Sequence, residues 1–247
     1  MARTTGQASN KLGNHARPGV RSRALQALIF DMDGVLIDSH PVHRKAWQKF
    51  LTTLGKEVTD EELNYILEGR RGKEILCHFL GDLSESAVVE YGRLKQSFFQ
   101  DNLKDIRLVP GVRSFMHSVG IAGLSMGVAT SASSYRTWQT LKRLKLDAKF
   151  SAVVTGDDVP VGKPDPAIYR LAAERMKIAP ERLLAIEDAP CGVQAAKAAG
   201  IRCIGVASNG RAEDLRQSGA EDVIPNFTGL TVERLLALWG SVAYDRR

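Results

Sequence analysis

The chain lacks the features that mark membrane-spanning and disulfide-bonded proteins. None of its apolar runs approaches the roughly 20 residues that a transmembrane helix needs. Its three cysteines, Cys77, Cys191 and Cys203, are odd in number and scattered, so they indicate neither a disulfide framework nor a zinc site. We therefore expect no contact with membranes and a reducing compartment, the cytoplasm.

Acidic residues are also missing from the first 24 positions, where five lysines and arginines lie. Without those five cations the net charge of +6 falls to about +1, so the rest of the chain is nearly neutral. Residues 1–24 have no hydrophobic periodicity and are predicted to form a disordered basic tail. The tail has three interpretations: an inert extension, a weak nucleic-acid contact or an organelle-targeting segment. It lacks a clear amphipathic helix, which favours the inert extension.

A stripe of interleaved aromatic and basic residues is absent as well, and aromatic residues make up only 6% of the chain. Together with the nearly neutral body, this absence argues against a dedicated nucleic-acid site. What the chain does have is ordinary globular composition over 247 residues, 44% of them apolar, which is enough to bury a substantial core.

Two hydrophobic patterns divide the chain. Residues 40–107 carry apolar side chains at helical spacing in four successive segments, one of them opened by a capping box at Thr59, which predicts an inserted all-α domain. After residue 110, short apolar runs alternate with helical segments, which predicts a parallel sheet covered on both faces. The runs predicted to be strands are residues 24–30, 124–130, 150–155, 183–186 and 201–206, with 222–224 as a short edge strand. The predicted fold is α/β, with residues 25–39 and 108–247 in the sheet-containing core.

Polar side chains follow these strands at their carboxyl ends. Asp31 and Asp33 come directly after the first strand and, as residues i and i+2 of an extended segment, would point to the same side. In a parallel sheet the carboxyl ends of neighbouring strands lie along one edge, where α/β proteins bind ligands. The side chains expected to gather around this crevice are Asp31, Asp33, Ser131, Lys163, Glu187 and Asp188.

The acids of this set favour a divalent cation. Carboxylates held close together repel one another unless a cation or a shared proton relieves them. Oxygen ligands from Asp31, from the Asp33 backbone carbonyl, and from Glu187 and Asp188 suit Mg²⁺, which takes a few carboxylates together with water and phosphate oxygens. We therefore expect a magnesium site at this edge of the sheet.

The whole set fits phosphoryl transfer. An aspartate such as Asp31 can act as a nucleophile, and Asp33 would then protonate the leaving alcohol and later deprotonate water. Lys163 is a point charge for a phosphate or for the nucleophile. Ser131 offers a hydroxyl, and the backbone amides from Ala132 onward lie at a helix start, where anions bind readily. Each residue alone also fits an ordinary turn or helix cap; four strand ends carrying suitable types are hard to obtain by chance.

The motifs resemble those of the haloacid dehalogenase superfamily of phosphohydrolases, in the branch of sugar-phosphate phosphatases and β-phosphoglucomutase. Asp31-Met32-Asp33-Gly34-Val35 resembles the first signature, Ser131 the second, Lys163 in Gly162-Lys163-Pro164 the third, and Glu187-Asp188 the fourth. The resemblance extends over about residues 25–230. It implies a Rossmann-like core, a helical cap inserted after the first strand, Mg²⁺, and Asp31 as nucleophile. An acid at Asp33 argues against a dehalogenase.

The resemblance also implies which residues meet the substrate. His43 matches a histidine of the family's hinge, and residues 69–74 resemble its substrate-specificity loop. Arg70, Arg71 and Lys73 in that loop would bind an anionic substrate; the alternative is a solvated basic turn.

The reaction has two interpretations within this branch. Mutases usually carry Lys-Asn after the Ser-Ala-Ser that matches residues 131–133, to hold a second phosphate, and this chain has Ser134-Tyr135. We therefore expect a phosphatase acting on a small phosphorylated metabolite, as a monomer or weak dimer, with a phosphomutase as the alternative. A non-catalytic relative or a nucleic-acid binder acting through the tail stays open, although the complete residue set argues against an inactive site.

Overall fold

A parallel sheet forms the centre of the molecule. The computed structural model describes residues 24–207 and 210–244. Six strands pair in parallel in the order β5-β4-β1-β6-β7-β8, and two further short strands, β2 and β3, pair with each other in antiparallel fashion. The strands are β1 (Ala27–Phe30), β2 (Ile37–Asp38), β3 (Arg107–Leu108), β4 (Ser125–Ala129), β5 (Ala152–Val154), β6 (Leu183–Glu187), β7 (Arg202–Val206) and β8 (Asp222–Ile224). The α/β fold predicted from the sequence is confirmed.

Helices occupy two places in the chain, the segment between β2 and β3 and the connections of the large sheet. The first group comprises α1 (His40–Thr53), α2 (Gly72–Leu80) and α3 (Glu85–Gln100), and we call the segment from α1 to α3 the helical insertion. The second group comprises α4 (Val112–Ile121), α5 (Ser134–Arg143), α6 (Ala167–Met176), α7 (Pro190–Ala198), α8 (Ala212–Gln217) and α9 (Val232–Tyr244). Among the described residues, no helix combines the length and apolar character needed to cross a membrane.

The central strand β1 is buried on both faces because its side chains alternate between two cores. Leu28 and Phe30 belong to one hydrophobic cluster, and Ala27 and Ile29 belong to a second cluster on the opposite face. All four side chains are fully buried. Such a strand has a continuous apolar run in the sequence, and this run predicts it.

The helical insertion has a hydrophobic cluster of its own. Its members are Trp47, Phe50, Leu51, Leu63, Ile66, Leu67, Ile75, Leu76 and Phe79. The capping box predicted at Thr59 is present, since the Thr59 amide donates to Glu62 at 2.7 Å and the Glu62 amide donates back at 3.2 Å. The predicted second helix, however, is a 3₁₀ segment, Glu62–Leu67. It spans only six residues, and the i, i+3 stacking of a 3₁₀ turn buries Leu63 and Ile66 together.

The β2–β3 pair joins the insertion to the sheet and was not predicted. Ile37 pairs with Leu108, and Asp38 pairs with Arg107, so the chain leaves for the insertion and returns at the same point. Two-residue strands are too short to show periodicity in sequence. The tail predicted over residues 1–24 lies outside the described residues except for Ala24, whose carbonyl accepts a hydrogen bond from Arg182 at 3.4 Å.

Candidate active site

A buried lysine joins two strand ends at the carboxyl edge of the sheet. Lys163 Nζ donates to Asp31 Oδ1 at 2.6 Å, to Glu187 Oε1 at 2.5 Å and to the Ala129 carbonyl at 3.1 Å. The lysine and Glu187 are almost completely buried, at 1% and 0% exposure. A buried cation of this kind is stable only when acids surround it, and the two carboxylates raise the pKa of Lys163 in spite of its desolvation.

The register of the sheet explains why these residues meet. Phe30 lies opposite Val128 of β4 and Ile186 of β6, so Asp31 and Glu187 follow neighbouring strands at the same level. The Asp31 amide continues the ladder by donating to the Ile186 carbonyl at 2.9 Å. Three acids, Asp31, Glu187 and Asp188, therefore have carboxylate oxygens within 4.8 Å of one another.

The oxygens of Glu187 and Asp188 differ in their partners. Glu187 Oε1 accepts from Lys163 and from the Tyr169 hydroxyl at 2.7 Å, and Oε2 accepts from the amides of Asp188 and Ala189. Asp188 Oδ2 is buried and has no hydrogen-bond donor among the described residues; His40 Nε2 lies 2.9 Å away without hydrogen-bond geometry. Burial disfavours the charged His40 ring, but the Asp188 charge raises its pKa overall.

Residues that fit a divalent cation are therefore present. Burial raises the pKa of Asp31 well above its ordinary range, against the opposing effect of Lys163, and the neighbouring acids raise it further. A cation would relieve this repulsion and would satisfy Asp188 Oδ2. The close approach of the chain also requires Gly34, whose φ is +77° and where a Cβ would lie 2.1 Å from Asp188 Oδ2.

Asp33 sits in a separate set of donors. Arg136 binds both its oxygens, at 2.8 Å and 2.5 Å, and the Ser39 hydroxyl donates to Oδ1 at 2.6 Å. His43 Nε2 lies 3.4 Å from the same oxygen. Burial alone would raise the pKa of Asp33, but the Arg136 charge holds this pKa well below its usual range. In this arrangement Asp33 is ionised, so it has no proton to donate, and its low pKa makes it a weak base.

A lysine of the helical insertion lies behind His43. Lys95 Nζ is 3.1 Å from His43 Nδ1, and both side chains pack on Phe99. Burial lowers the pKa of Lys95 to about 7, and burial together with the Lys95 charge lowers the pKa of His43 to about 3. His43 is therefore neutral and oriented between Asp33 and Lys95.

Ser131 and Ala132 follow β4, as predicted, but their groups have protein partners. The Ser131 hydroxyl donates to the Gly69 carbonyl of the helical insertion at 2.6 Å, and the Ala132 amide donates to the Thr130 hydroxyl at 3.2 Å. The Ser133 hydroxyl accepts from the Arg136 amide and caps α5. The helix start predicted as an anion site is thus formed at the edge of the sheet.

These groups border one cavity of about 880 Å³ between the sheet edge and the helical insertion. From the core, Asp31, Asp33, Ser131, Ala132, Arg136 and Asp188 line it, whereas Lys163 and Glu187 lie behind Asp31. From the helical insertion, His43, Arg70, Arg71, Lys73, Arg93 and Gln96 line it. The structure therefore brings every predicted site residue to this cavity or directly beneath it.

Sequence reasoning missed Arg136, Ser39 and Lys95. Arg136 lies 103 positions from its partner Asp33, and nothing in its own helix distinguishes it from a surface arginine. Ser39 was within reach, because it stands six residues after Asp33 in the stretch already singled out. Lys95 sits in an amphipathic helix where a lysine is normally solvated.

Comparison with known proteins agrees with this geometry. The family model described as haloacid dehalogenase-like hydrolase matches residues 28–206. A phosphorylated carbohydrates phosphatase of Thermotoga maritima is 37% identical over 185 residues, which cover 73% of this chain and 84% of the relative. A β-phosphoglucomutase of Bacillus subtilis is 29% identical, with 87% of this chain and 96% of the relative covered.

A solved structure is similar over most of the chain. The crystal structure of CbbY from Rhodobacter sphaeroides in complex with phosphate superposes with a TM-score of 0.70 at 30% identity. The match covers 82% of this chain and 95% of that one. The relatives thus include both a phosphatase and a phosphomutase of phosphorylated sugars.

Proposed function

The chain belongs to the haloacid dehalogenase-like hydrolase family, and we propose that it hydrolyses small phosphomonoesters, such as sugar phosphates, through a phosphoryl group carried by Asp31. The observation that carries this proposal is the buried Asp31 carboxylate at the floor of the cavity, held by Lys163 beside Asp188 and Glu187. An aspartate in such a cluster is fixed in place and faces the cavity where an ester would bind.

In the first step, an Asp31 oxygen attacks the phosphorus atom, and the bond from phosphorus to the ester oxygen breaks. Lys163 orients Asp31 and stabilises its carboxylate form. The Ser131 hydroxyl and the Ala132 amide bind the phosphoryl oxygens, for which they must leave the Gly69 carbonyl and the Thr130 hydroxyl. Asp33 gives a proton to the departing alkoxide, so that an alcohol leaves.

In the second step, water attacks the phosphorus of the phosphorylated Asp31, Asp33 takes a proton from that water, and the Asp31 carboxylate is regenerated with release of inorganic phosphate. The contacts of Asp33 with Arg136, Ser39 and His43 keep it ionised but make it a weak base, so taking a proton from water requires these contacts to loosen. Protonating the alkoxide in the first step requires Asp33 to leave Arg136 and take up a proton.

Asp31, Asp188 and the Asp33 backbone carbonyl would hold Mg²⁺, with Glu187 as a further candidate ligand whose oxygens already have protein donors. When bound, Mg²⁺ would neutralise charge on the phosphoryl group and its nucleophile.

The helical insertion acts as a cap in this proposal. The predicted cap domain, residues 40–107, contains the helical insertion and covers the core formed by residues 25–39 and 108–247. The cavity between cap and core excludes bulk water during phosphoryl transfer. His43, Arg70, Arg71 and Lys73 are the predicted contacts of the non-reacting part of the substrate.

The test is a screen for phosphate release over sugar phosphates, phosphoglycolate and nucleotides with Mg²⁺ present, using Asp31→Asn as the matched control. We expect release from at least one phosphorylated sugar and none from the variant. Equal release by both proteins would exclude Asp31 as nucleophile, and no release from any ester would refute a phosphatase.

A phosphomutase is the second candidate, supported by the relative from Bacillus subtilis. Tyr135 stands where mutases of this branch usually carry asparagine and is 64% exposed, whereas the Ser134 amide donates to Asp157 at 2.7 Å. Neither residue offers a cation for a second phosphate, which favours hydrolysis. Conversion of β-glucose 1-phosphate to glucose 6-phosphate, primed with glucose 1,6-bisphosphate and faster than phosphate release, would favour the mutase.

A further inference from the structure

The two neighbouring arginines of the cavity, Arg70 and Arg71, are held by different parts of the molecule. Arg70 turns back into the helical insertion, where Nε donates to Glu68 at 3.0 Å and the guanidinium lies 5.0 Å from the centre of the Tyr65 ring. Arg71 instead reaches the core. The pair therefore offers a comparison between two cations one residue apart.

Arg71 binds two successive backbone carbonyls of the core. Its two terminal nitrogens donate to the Val159 carbonyl at 3.2 Å and to the Pro160 carbonyl at 3.1 Å. These carbonyls belong to residues 159–163, which we call the lysine loop because Lys163 ends it. The planar guanidinium fork matches such a pair of acceptors in a way that a lysine cannot.

The third side of the Arg71 guanidinium is also occupied. Its Nε donates to Glu74 Oε1 at 3.3 Å, and its backbone amide donates to Glu74 Oε2 at the same distance. Arg71 is the residue before the first turn of α2, where serine, threonine or aspartate is usual. The side chain at this position is therefore committed to the core loop and to its own helix rather than left for a ligand.

The lysine loop leaves room for this contact. A Cβ at Gly162 would lie 2.8 Å from Arg71 Nε and 2.8 Å from Glu74 Oε1, although the φ of Gly162 does not require glycine. Gly120 of α4, which does not line the cavity, has open space where a Cβ would stand. The two glycines thus separate the effect of added bulk at the contact from the effect of losing a glycine.

Further backbone ties support the same interface. The Gly69 carbonyl accepts from Ser131 at 2.6 Å, and the Leu67 carbonyl accepts from Arg211 at 3.1 Å. Both lie within five residues of Arg71, so this segment of the helical insertion meets the core at three points. Of these three contacts, only that of Arg71 is made by a side chain of the insertion.

We propose that Arg71 is a positioning residue that fastens the helical insertion to the lysine loop, and that it does not read the substrate. The fastening holds the insertion over the cavity and steadies the loop that delivers Lys163 to Asp31. The kinetic consequences of this inference rest on the proposed function. The contact between Arg71 and the lysine loop does not depend on that function. It replaces, for Arg71 alone, the expectation of a substrate contact.

The kinetic test compares Arg71→Ala, Arg71→Lys and Arg70→Ala on the best sugar phosphate and on p-nitrophenyl phosphate. A fastening acts on every substrate, so we expect Arg71→Ala to lower kcat/KM about tenfold on both esters, as for loss of charge-assisted hydrogen bonds. Arg71→Lys should recover part of the loss. A drop confined to the sugar phosphate would overturn the proposal, because it would mark a substrate contact.

A double-mutant cycle tests the partner loop. Gly162→Ala should lower kcat/KM in the wild-type background and have much less effect beside Arg71→Ala, since the Arg71 side chain is then gone and Glu74, released from Arg71 Nε, can turn away. Gly120→Ala is the matched control and should be neutral in both backgrounds. Additive effects of Gly162→Ala and Arg71→Ala would contradict a shared contact.

Hydrogen exchange separates this inference from the proposed function, because it needs no turnover. Arg71→Ala should speed the exchange of amides in residues 69–74 and 156–163, and Arg70→Ala should leave residues 156–163 unchanged. Unchanged exchange in both segments would overturn the fastening even if the phosphatase is active. Faster exchange in a protein without phosphatase activity would support the fastening while the proposed function fails.

Discussion

The floor and the roof of the cavity are built on opposite principles. The floor, formed by Asp31, Lys163, Glu187 and Asp188, is almost completely buried, and the side-chain polar atoms of Lys163 and Glu187 are all hydrogen-bonded. The roof is the cavity-lining face of the helical insertion. There Lys73 and Arg93 are exposed, and neither has an ion pair or hydrogen bond within residues 24–207 and 210–244.

Under the proposed function, this difference in burial and pairing gives the floor the reaction and the roof the choice of substrate. Charges that are buried and paired cannot be exchanged singly without leaving a partner uncompensated, so the floor is constrained to one arrangement. Exposed cations can be replaced at little cost to stability. The floor is therefore suited to act on the phosphoryl group, which every substrate shares, and the roof is suited to distinguish what the phosphoryl group is attached to.

The strongest test of this division is Asp31→Asn at the floor. The amide is nearly isosteric but is a very poor nucleophile, so we expect turnover to fall on the order of a thousandfold or more for every ester. Phosphate release measures the effect, and a thermal unfolding curve checks that the fold persists. Retention of more than a few per cent of wild-type activity on any ester would contradict the assignment.

Removal of divalent cations should act almost as strongly. The three crowded acids repel one another, and the buried Asp188 Oδ2 has no hydrogen bond in the described structure beyond its ion pair with His40, so activity should disappear in EDTA and return with Mg²⁺. Calcium should inhibit because its looser coordination misplaces nucleophile and phosphate. Mg²⁺ should also raise the melting temperature without substrate. Full activity in excess chelator would exclude this metal site.

Arg136 lies at the boundary between floor and roof, because it binds Asp33 and packs on Phe99 of α3. Breaking a largely buried ion pair leaves a charge uncompensated, so Arg136→Met should destabilise the protein at pH 7 by roughly 2–4 kcal/mol. The Arg136 charge depresses the pKa of Asp33, so this stabilisation is present above the ordinary pKa and fades as the pH falls through the folded value.

Urea unfolding of wild type and Arg136→Met at pH 7 and pH 3.5 measures this dependence, with Lys142→Met, an exposed position of the same helix, as control. The difference between wild type and Arg136→Met should shrink at the lower pH, and Lys142→Met should stay near wild type at both. An equal loss at both pH values would show that Arg136 stabilises through packing alone.

Sequence reasoning located the acids of the floor because Asp31, Glu187 and Asp188 end a strand or follow one directly. Asp31, Ser131 and Glu187 end apolar runs, and parallel strands bring their carboxyl ends together without further information. No comparable rule predicts where the side chains of the roof point. Arg70 and Arg71 look alike in sequence, yet one turns inward to Glu68 and the other crosses to Val159. Side-chain direction across an interface depends on packing between elements that the chain separates by about 90 positions.

The smallest expected effect belongs to the roof alone. Arg70 lines the cavity, and its contacts within the described residues, with Glu68 and Tyr65, stay in its own segment. If it meets the non-reacting end of the substrate, Arg70→Ala should lower kcat/KM for the best sugar phosphate about three- to tenfold, below the full value of a charge-assisted hydrogen bond because the residue is partly solvated. Turnover of p-nitrophenyl phosphate should change less than twofold, since that ester offers the roof little to hold. Lys45→Ala, at an exposed position of α1 that does not line the cavity, shows what loss of charge alone does. Equal losses on both esters would mean that the roof does not select the substrate. The difference in role between floor and roof would then be wrong for the roof.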